Sequence, residues 1–186
     1  MRVNLLGGPG CGKSTTAAWL FSELKVRQVS VELVTEYVKV WACQKRKIET
    51  FDQVYLLGKQ MQYEHRFLTA GVEHVITDSP VILSGIYAEH YDLDGTLGIA
   101  RPLLSLAEAY EKKYPSVNII LDRKNKPYIT QGRYQTHEQA REIDQLITRY
   151  YLTNKDRLEL NVAYFDYRNR EGILTYVLTV LEASRK

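Results

Sequence analysis

Near the start of the chain, residues 7–14 read GGPGCGKS. Gly7, Gly12, Lys13 and Ser14 stand there at the spacing G-x-x-x-x-G-K-[ST]. Glycines let consecutive backbone N–H groups turn inward and form a concave nest for an anion. An apolar run, residues 1–6 (MRVNLL), precedes the loop, and helical spacing of apolar residues follows it over residues 15–25. A helix starting there aims its positive end at the nest. Lys13 adds a charge against the outer phosphates, and the Ser14 hydroxyl suits a place on Mg²⁺.

Other polar groups close apolar runs further along. Asp78 follows VEHVIT and suits a Mg²⁺ ligand opposite Ser14, or a cap for the next helix. Ser79 beside it offers a hydroxyl or a cap. Glu36 ends VSVELVT, where a carboxylate can accept a proton from an attacking hydroxyl, or stand as an exposed charge. Residues 123–133 carry Arg123, Lys124, Lys126 and Arg133 in a polar stretch with one Pro and one Gly. Such a segment reads as a cationic lid, with Arg123 and Arg133 foremost because guanidinium forks match phosphate oxygens, or as a solvated loop. Lys45, Arg46 and Lys47 form a basic patch suited to a polynucleotide backbone or to water. Tyr37 and Trp41 lie nearby, placed to stack on a base or to join the core. The side chain of Cys11 is read as incidental to the loop. The four histidines show no metal-ligand spacing.

The elements that must hold these groups alternate. Strands are expected over residues 1–6, 29–35, 72–77, 117–121 and 162–167. Helices are expected over 15–25, 51–70, 79–87, 102–113, 136–159 and 171–184. Capping boxes are read at Thr50/Gln53 and Thr136/Gln139. Val54, Leu57, Met61 and Leu68 are expected inward on one helix, and Leu103, Leu106 and Tyr110 on another. Ile143, Leu146, Ile147 and Tyr150 form the apolar face of the helix after the basic segment. Residues 92–98 (DLDGTLG) read as a loop. The alternation implies a mostly parallel sheet covered on both faces, an α/β fold that binds ligands beyond its strand C-termini.

Composition sets the bounds. With 186 residues, the expectation is one domain, 1–186. Lys plus Arg number 25 against 22 Asp plus Glu, and a net charge of +3 is too mild to argue for nucleic acid alone. Fourteen tyrosines supply stacking area with a hydroxyl. The two cysteines, Cys11 and Cys43, form no motif, which suits a reducing interior. No apolar run reaches membrane-spanning length and no signal peptide is read at the N-terminus, so a cytoplasmic location is expected.

GGPGCGKST, VTEY, VITDSP, KPYITQGRYQT and EQAREID, in that order, resemble the small P-loop kinases of bacteriophage genomes labelled as ATPases of the AAA type. That group is similar to thymidylate kinases and to NadR-type ribosylnicotinamide kinases. One branch comprises 5-hydroxymethyluracil DNA kinases, which act on bases already in phage DNA during thymidine hypermodification. The resemblance implies a three-layer P-loop fold, a five-stranded sheet of order 2-3-1-4-5, and a lid at about residues 123–135. It implies ATP on Gly7, Gly8, Pro9, Gly10, Cys11, Gly12, Lys13, Ser14 and Thr15. Mg²⁺ falls to Ser14 and Asp78, and catalytic roles to Lys13, Glu36, Asp78, Arg123 and Arg133. Thymidylate kinases carry an Asp-Arg pair where this chain has Glu36-Tyr37, which favours a neutral hydroxyl over a monophosphate acceptor. The partners implied are ATP and a nucleoside-type acceptor, free or within modified DNA, with a monomer and a homodimer both open. Competing expectations are a small-molecule kinase for ribosylnicotinamide or a deoxynucleotide, and an ATP-hydrolysing switch.

Overall fold

The computed structural model describes residues 1–49, 51–91 and 98–184. Five strands form one sheet: β1 (Arg2–Leu6), β2 (Val31–Val34), β3 (His74–Thr77), β4 (Ser116–Asp122) and β5 (Asn161–Asp166). The order is β2-β3-β1-β4-β5, and every pairing is parallel. β1 and β3 are buried along their whole length, as their near-continuous apolar runs require of central parallel strands.

Helices cover both faces. On one side α1 (Lys13–Val26) and α7 (Arg170–Ala183) pack Leu20, Leu24, Ile173 and Val177 onto Val3, Leu5, Ile76 and Ile119 of the sheet. On the other, α3 (Asp52–Thr69), α4 (Val81–Tyr91), α5 (Ala100–Lys113) and α6 (His137–Asn154) gather Leu57, Ile86, Ala107 and Ile147 over Leu6 and Ile120. A short helix, α2 (Lys39–Cys43), follows β2.

Most expected elements form, with adjustments in detail. Val54 and Leu106, read as inward, are exposed, because their helices present neighbouring positions to the core. The Thr136 box is present in full: its hydroxyl accepts from Gln139 N–H, and the Gln139 side chain accepts from Thr136 N–H. Thr50 of the other box lies outside the described residues, as do 92–97 of the expected loop; α3 begins after Phe51 without a side-chain cap. α6 stops at Asn154 rather than Glu159.

A charged network ties the base of the sheet together. Arg2 is fully buried and its guanidinium meets Glu64 and Glu111, both at 2.9 Å. Glu64 also accepts the N–H of Val81, the first residue of α4. Burial pushes the Glu64 carboxyl up to about 7, although Arg2 favours its charge.

Candidate active site

The glycine loop runs from the end of β1 to the start of α1. Gly10 and Gly12 have φ of +77° and +112°, the left-handed region that only glycine enters freely. Gly12 is the N-cap of α1, which has no side-chain cap and no acid in its first turn. The first-turn amides of a helix have no intrahelical acceptor, so this end suits an anion. Lys13 is buried, and its Nζ donates to the carbonyls of Gly7 at 2.7 Å and Gly8 at 3.1 Å. Cys11 is fully buried, and burial pushes its thiol up, so its side chain anchors the loop in the core.

The loop forms one wall of a cavity of about 380 Å³. Gly10, Gly12, Lys13, Ser14 and Thr15 line it, and Glu36 faces them from beyond β2. Burial raises the Glu36 carboxyl above its ordinary range; Asp78 adds to this, while Lys13, Lys39 and Arg133 oppose it. Asp78 is 2% exposed and accepts the Glu36 backbone N–H at 2.9 Å, so β3 fixes the carboxylate-bearing turn after β2. Ser79 reaches the cavity wall, whereas Asp78 stands behind it. The wall also carries the neutral side chains Tyr37, Gln53, Leu56, Gln60, Tyr87 and Tyr91, with Lys39 beside them. Gln60 is held by both ends of its amide, accepting from Tyr37 N–H at 3.3 Å and donating to Thr77 Oγ1 at 3.4 Å. Tyr87 and Tyr91 stack with ring planes 9° apart.

The segment between β4 and α6 covers the loop. Tyr128 lies so close that a Cβ on Gly10 would stand 2.9 Å from its ring, and 3.2 Å from Arg133 Cζ. Lys126 Nζ sits over the Tyr167 ring at 4.2 Å, and a Cβ on Gly12 would meet it at 3.4 Å. Two bonds tie the segment to its surroundings: Tyr134 Oη to the Arg46 carbonyl at 2.6 Å, and Gln135 Nε2 to Tyr91 Oη at 2.7 Å. Lys126 and Arg133 line the cavity. Arg123 departs from the expected lid cation. It is 4% exposed, and its guanidinium is engaged by Asp144, the Pro9 carbonyl and the Ala140 carbonyl. It starts at the end of a buried strand, which draws it under the loop rather than over it.

Of the two aromatics near the basic patch, Trp41 belongs to the core of α2 and α3. It is 5% exposed and stacks on Tyr55, with Arg46 over its ring at 3.5 Å. Tyr37 stays on the cavity wall, and Lys45 and Lys47 are exposed. Sequence reasoning missed Gln53, Gln60, Tyr87, Tyr91 and Asp144. The amides and tyrosines sit among ordinary helical residues, and only Gln60, polar yet one turn from Leu56 on the buried face, carried any signal.

The fold has solved counterparts. Deoxyadenosine kinase from M. mycoides, with bound dATP, superposes with a TM-score of 0.64 at 16% identity, covering 98% of this chain and 100% of that one. The same enzyme with dCMP and dCDP bound gives a TM-score of 0.60 at 14% identity, with the same coverage. NadR in complex with NR gives 0.63 at 18% identity, covering 98% of this chain; the match spans 49% of NadR. These likenesses establish the P-loop nucleoside-kinase fold. Among curated proteins no sequence matches. A family model described as AAA domain matches residues 2–163. The chain therefore belongs to that AAA-domain family.

Proposed function

We propose that this protein is an ATP-dependent kinase that transfers the γ-phosphoryl group to a neutral hydroxyl of a nucleoside-type acceptor. The observation that carries this reading is Glu36: a carboxylate raised by burial that shares one cavity with the glycine loop and with a set of neutral aromatic, aliphatic and amide side chains. A base held above the ordinary carboxylate range is better matched to taking a proton near neutrality.

In this reading the amides of the loop and Lys13 hold the triphosphate, while Lys126 and Arg133 cover it from the other side. The acceptor lies between Tyr37, Leu56 and Tyr87, oriented by the amides of Gln53 and Gln60. Its hydroxyl oxygen forms a bond to the γ-phosphorus as the bond to the β–γ bridging oxygen breaks, and its proton passes to Glu36. ADP leaves with that oxygen. Ser14 on the cavity wall would hold Mg²⁺, with Asp78 reaching it through water from behind the wall, and the ion would neutralise phosphate charge. Asp78 also sets the Glu36 turn through its backbone bond.

The finer reading is the 5-hydroxymethyl group of 5-hydroxymethyluracil in bacteriophage DNA. Exposed Lys45, Arg46 and Lys47, with Phe51 66% exposed beside them, support a strand passing the cavity mouth. A second reading, a kinase of a free nucleoside or ribosylnicotinamide, is supported by the nucleoside-sized cavity and by neighbours solved with dATP and NR. Label from the γ-position of ATP, offered to hydroxymethyluracil-containing DNA, free nucleosides and ribosylnicotinamide in parallel, separates the two. Label in DNA is the expected result; label in free nucleosides alone excludes the DNA reading.

A further inference from the structure

We propose that Asp144 is a positioning residue for the glycine loop, acting with Arg123 as a brace that sets the loop's affinity for a triphosphate. The proposal rests on the reading of that loop as the nucleotide site and is independent of the acceptor.

Asp144 lies on α6, the helix that follows the covering segment. Its Oδ1 accepts the backbone N–H of Gly8 at 2.6 Å. The Arg123 fork grips the same carboxylate, Nε on Oδ2 at 2.5 Å and Nη2 on Oδ1 at 3.2 Å. Nη2 also donates to the carbonyls of Pro9 at 2.8 Å and of Ala140, one turn before Asp144, at 3.3 Å. One ion pair thus fixes a donor and an acceptor on two consecutive loop residues. The fit is tight: a Cβ on Gly8 would stand 2.4 Å from the Ala140 carbonyl oxygen.

A glycine-rich loop has many conformations, and only those with convergent amides bind phosphate. The brace removes the Gly8 N–H from the nest and holds the chain at Pro9, so the nest begins at Gly10. A carboxylate this close to a polyanion site is tolerable only when neutralised, and Arg123 neutralises it. Among the described residues the guanidinium keeps one buried donor, Nη1, without a protein partner, as a group beside an anionic ligand can. The same helix end carries the covering segment, since Tyr128 stacks on His137 with ring planes 14° apart. The position of the segment and the shape of the loop are therefore set by one rigid element.

The test is titration of a fluorescent ATP analogue with Mg²⁺ into the wild-type chain, Asp144→Asn, Asp144→Ala, Arg123→Ala and the double alanine variant, with thermal melting alongside. Removing a charge-assisted bond from the loop is expected to weaken binding by about tenfold in Asp144→Ala, with a smaller loss in Asp144→Asn, which keeps an acceptor. Arg123→Ala leaves an uncompensated carboxylate by the phosphates and is expected to bind worst, and the double variant is expected to recover part of that loss. Melting separates the two causes: a recovery of binding without a matching recovery of melting temperature is not a restored fold. Binding within twofold of wild type in Asp144→Ala, or a double variant no better than Arg123→Ala, overturns the brace. If Asp144→Ala does not fold, Asp144→Asn and the Gly8 amide proton resonance decide: an unshifted resonance in the Asn variant overturns the proposal. A wild-type chain that takes up no triphosphate overturns the nucleotide site itself, and the brace with it.

Discussion

Replacing Gly10 by alanine probes the contact between the glycine loop and the segment above it. Gly10 has φ of +77°, where a side chain costs about 1–2 kcal/mol. The new Cβ would also stand 2.9 and 3.0 Å from two ring carbons of Tyr128. The ring cannot swing away freely, because its hydroxyl is bonded to the Gln135 carbonyl at 2.8 Å and Gln135 is bonded to Tyr91. Overpacking of this kind costs about 1–3 kcal/mol, so Gly10→Ala is expected to destabilise the protein by about 2–5 kcal/mol in total. Denaturant unfolding of Gly10→Ala, Tyr128→Ala and the double variant separates the two parts. Removing the ring relieves the clash and leaves the backbone strain, so the double variant should be more stable than the sum of the single effects by about 1–3 kcal/mol. Titration of Mg-ATP into the same set should show the same rescue. Strictly additive single effects would mean that the ring does not rest on Gly10 in solution.

Glu36→Gln removes the proposed base and keeps its shape; a fall in kcat of about 10²–10⁴-fold is expected, with the KM for ATP little changed. The wild-type rate should rise with pH through the raised pKa of Glu36, because the base must be ionised, and this acid limb should vanish in the variant. Glu64 gives a stability signature. Its folded pKa of about 7 lies above the ordinary 4.5, so its contribution is fully present below about 4.5 and lost as pH rises through about 7, by about 3 kcal/mol. Melting across that window should show the loss in wild type and its absence in Glu64→Gln.

The sheet was legible because its central strands are buried on both faces and read as mostly apolar runs. The glycine loop was legible because its spacing has few other uses. Residues that act through distant partners were not. Arg2 interrupts an apolar strand, and nothing local announces that Glu64 and Glu111, far along the chain, neutralise it. Arg123 and Arg133 have the same side chain and occupy one basic segment. Only the fold decides that one lies beneath the loop on Asp144 and the other beside Gly10. The exposed faces of Val54 and Leu106 show the same limit, since periodicity fixes spacing but not which of two adjacent apolar stripes meets the core.

In the proposed reaction the cavity passes a phosphoryl group to an acceptor hydroxyl rather than to water. The direct measurement is the partition of γ-phosphate label between a nucleoside-type acceptor and inorganic phosphate, for the wild-type chain and for Lys13→Ala. Label on the acceptor hydroxyl is expected in wild type and almost none in Lys13→Ala. Label released only as inorganic phosphate across every nucleoside and DNA acceptor, or undiminished transfer in Lys13→Ala, would contradict that reaction.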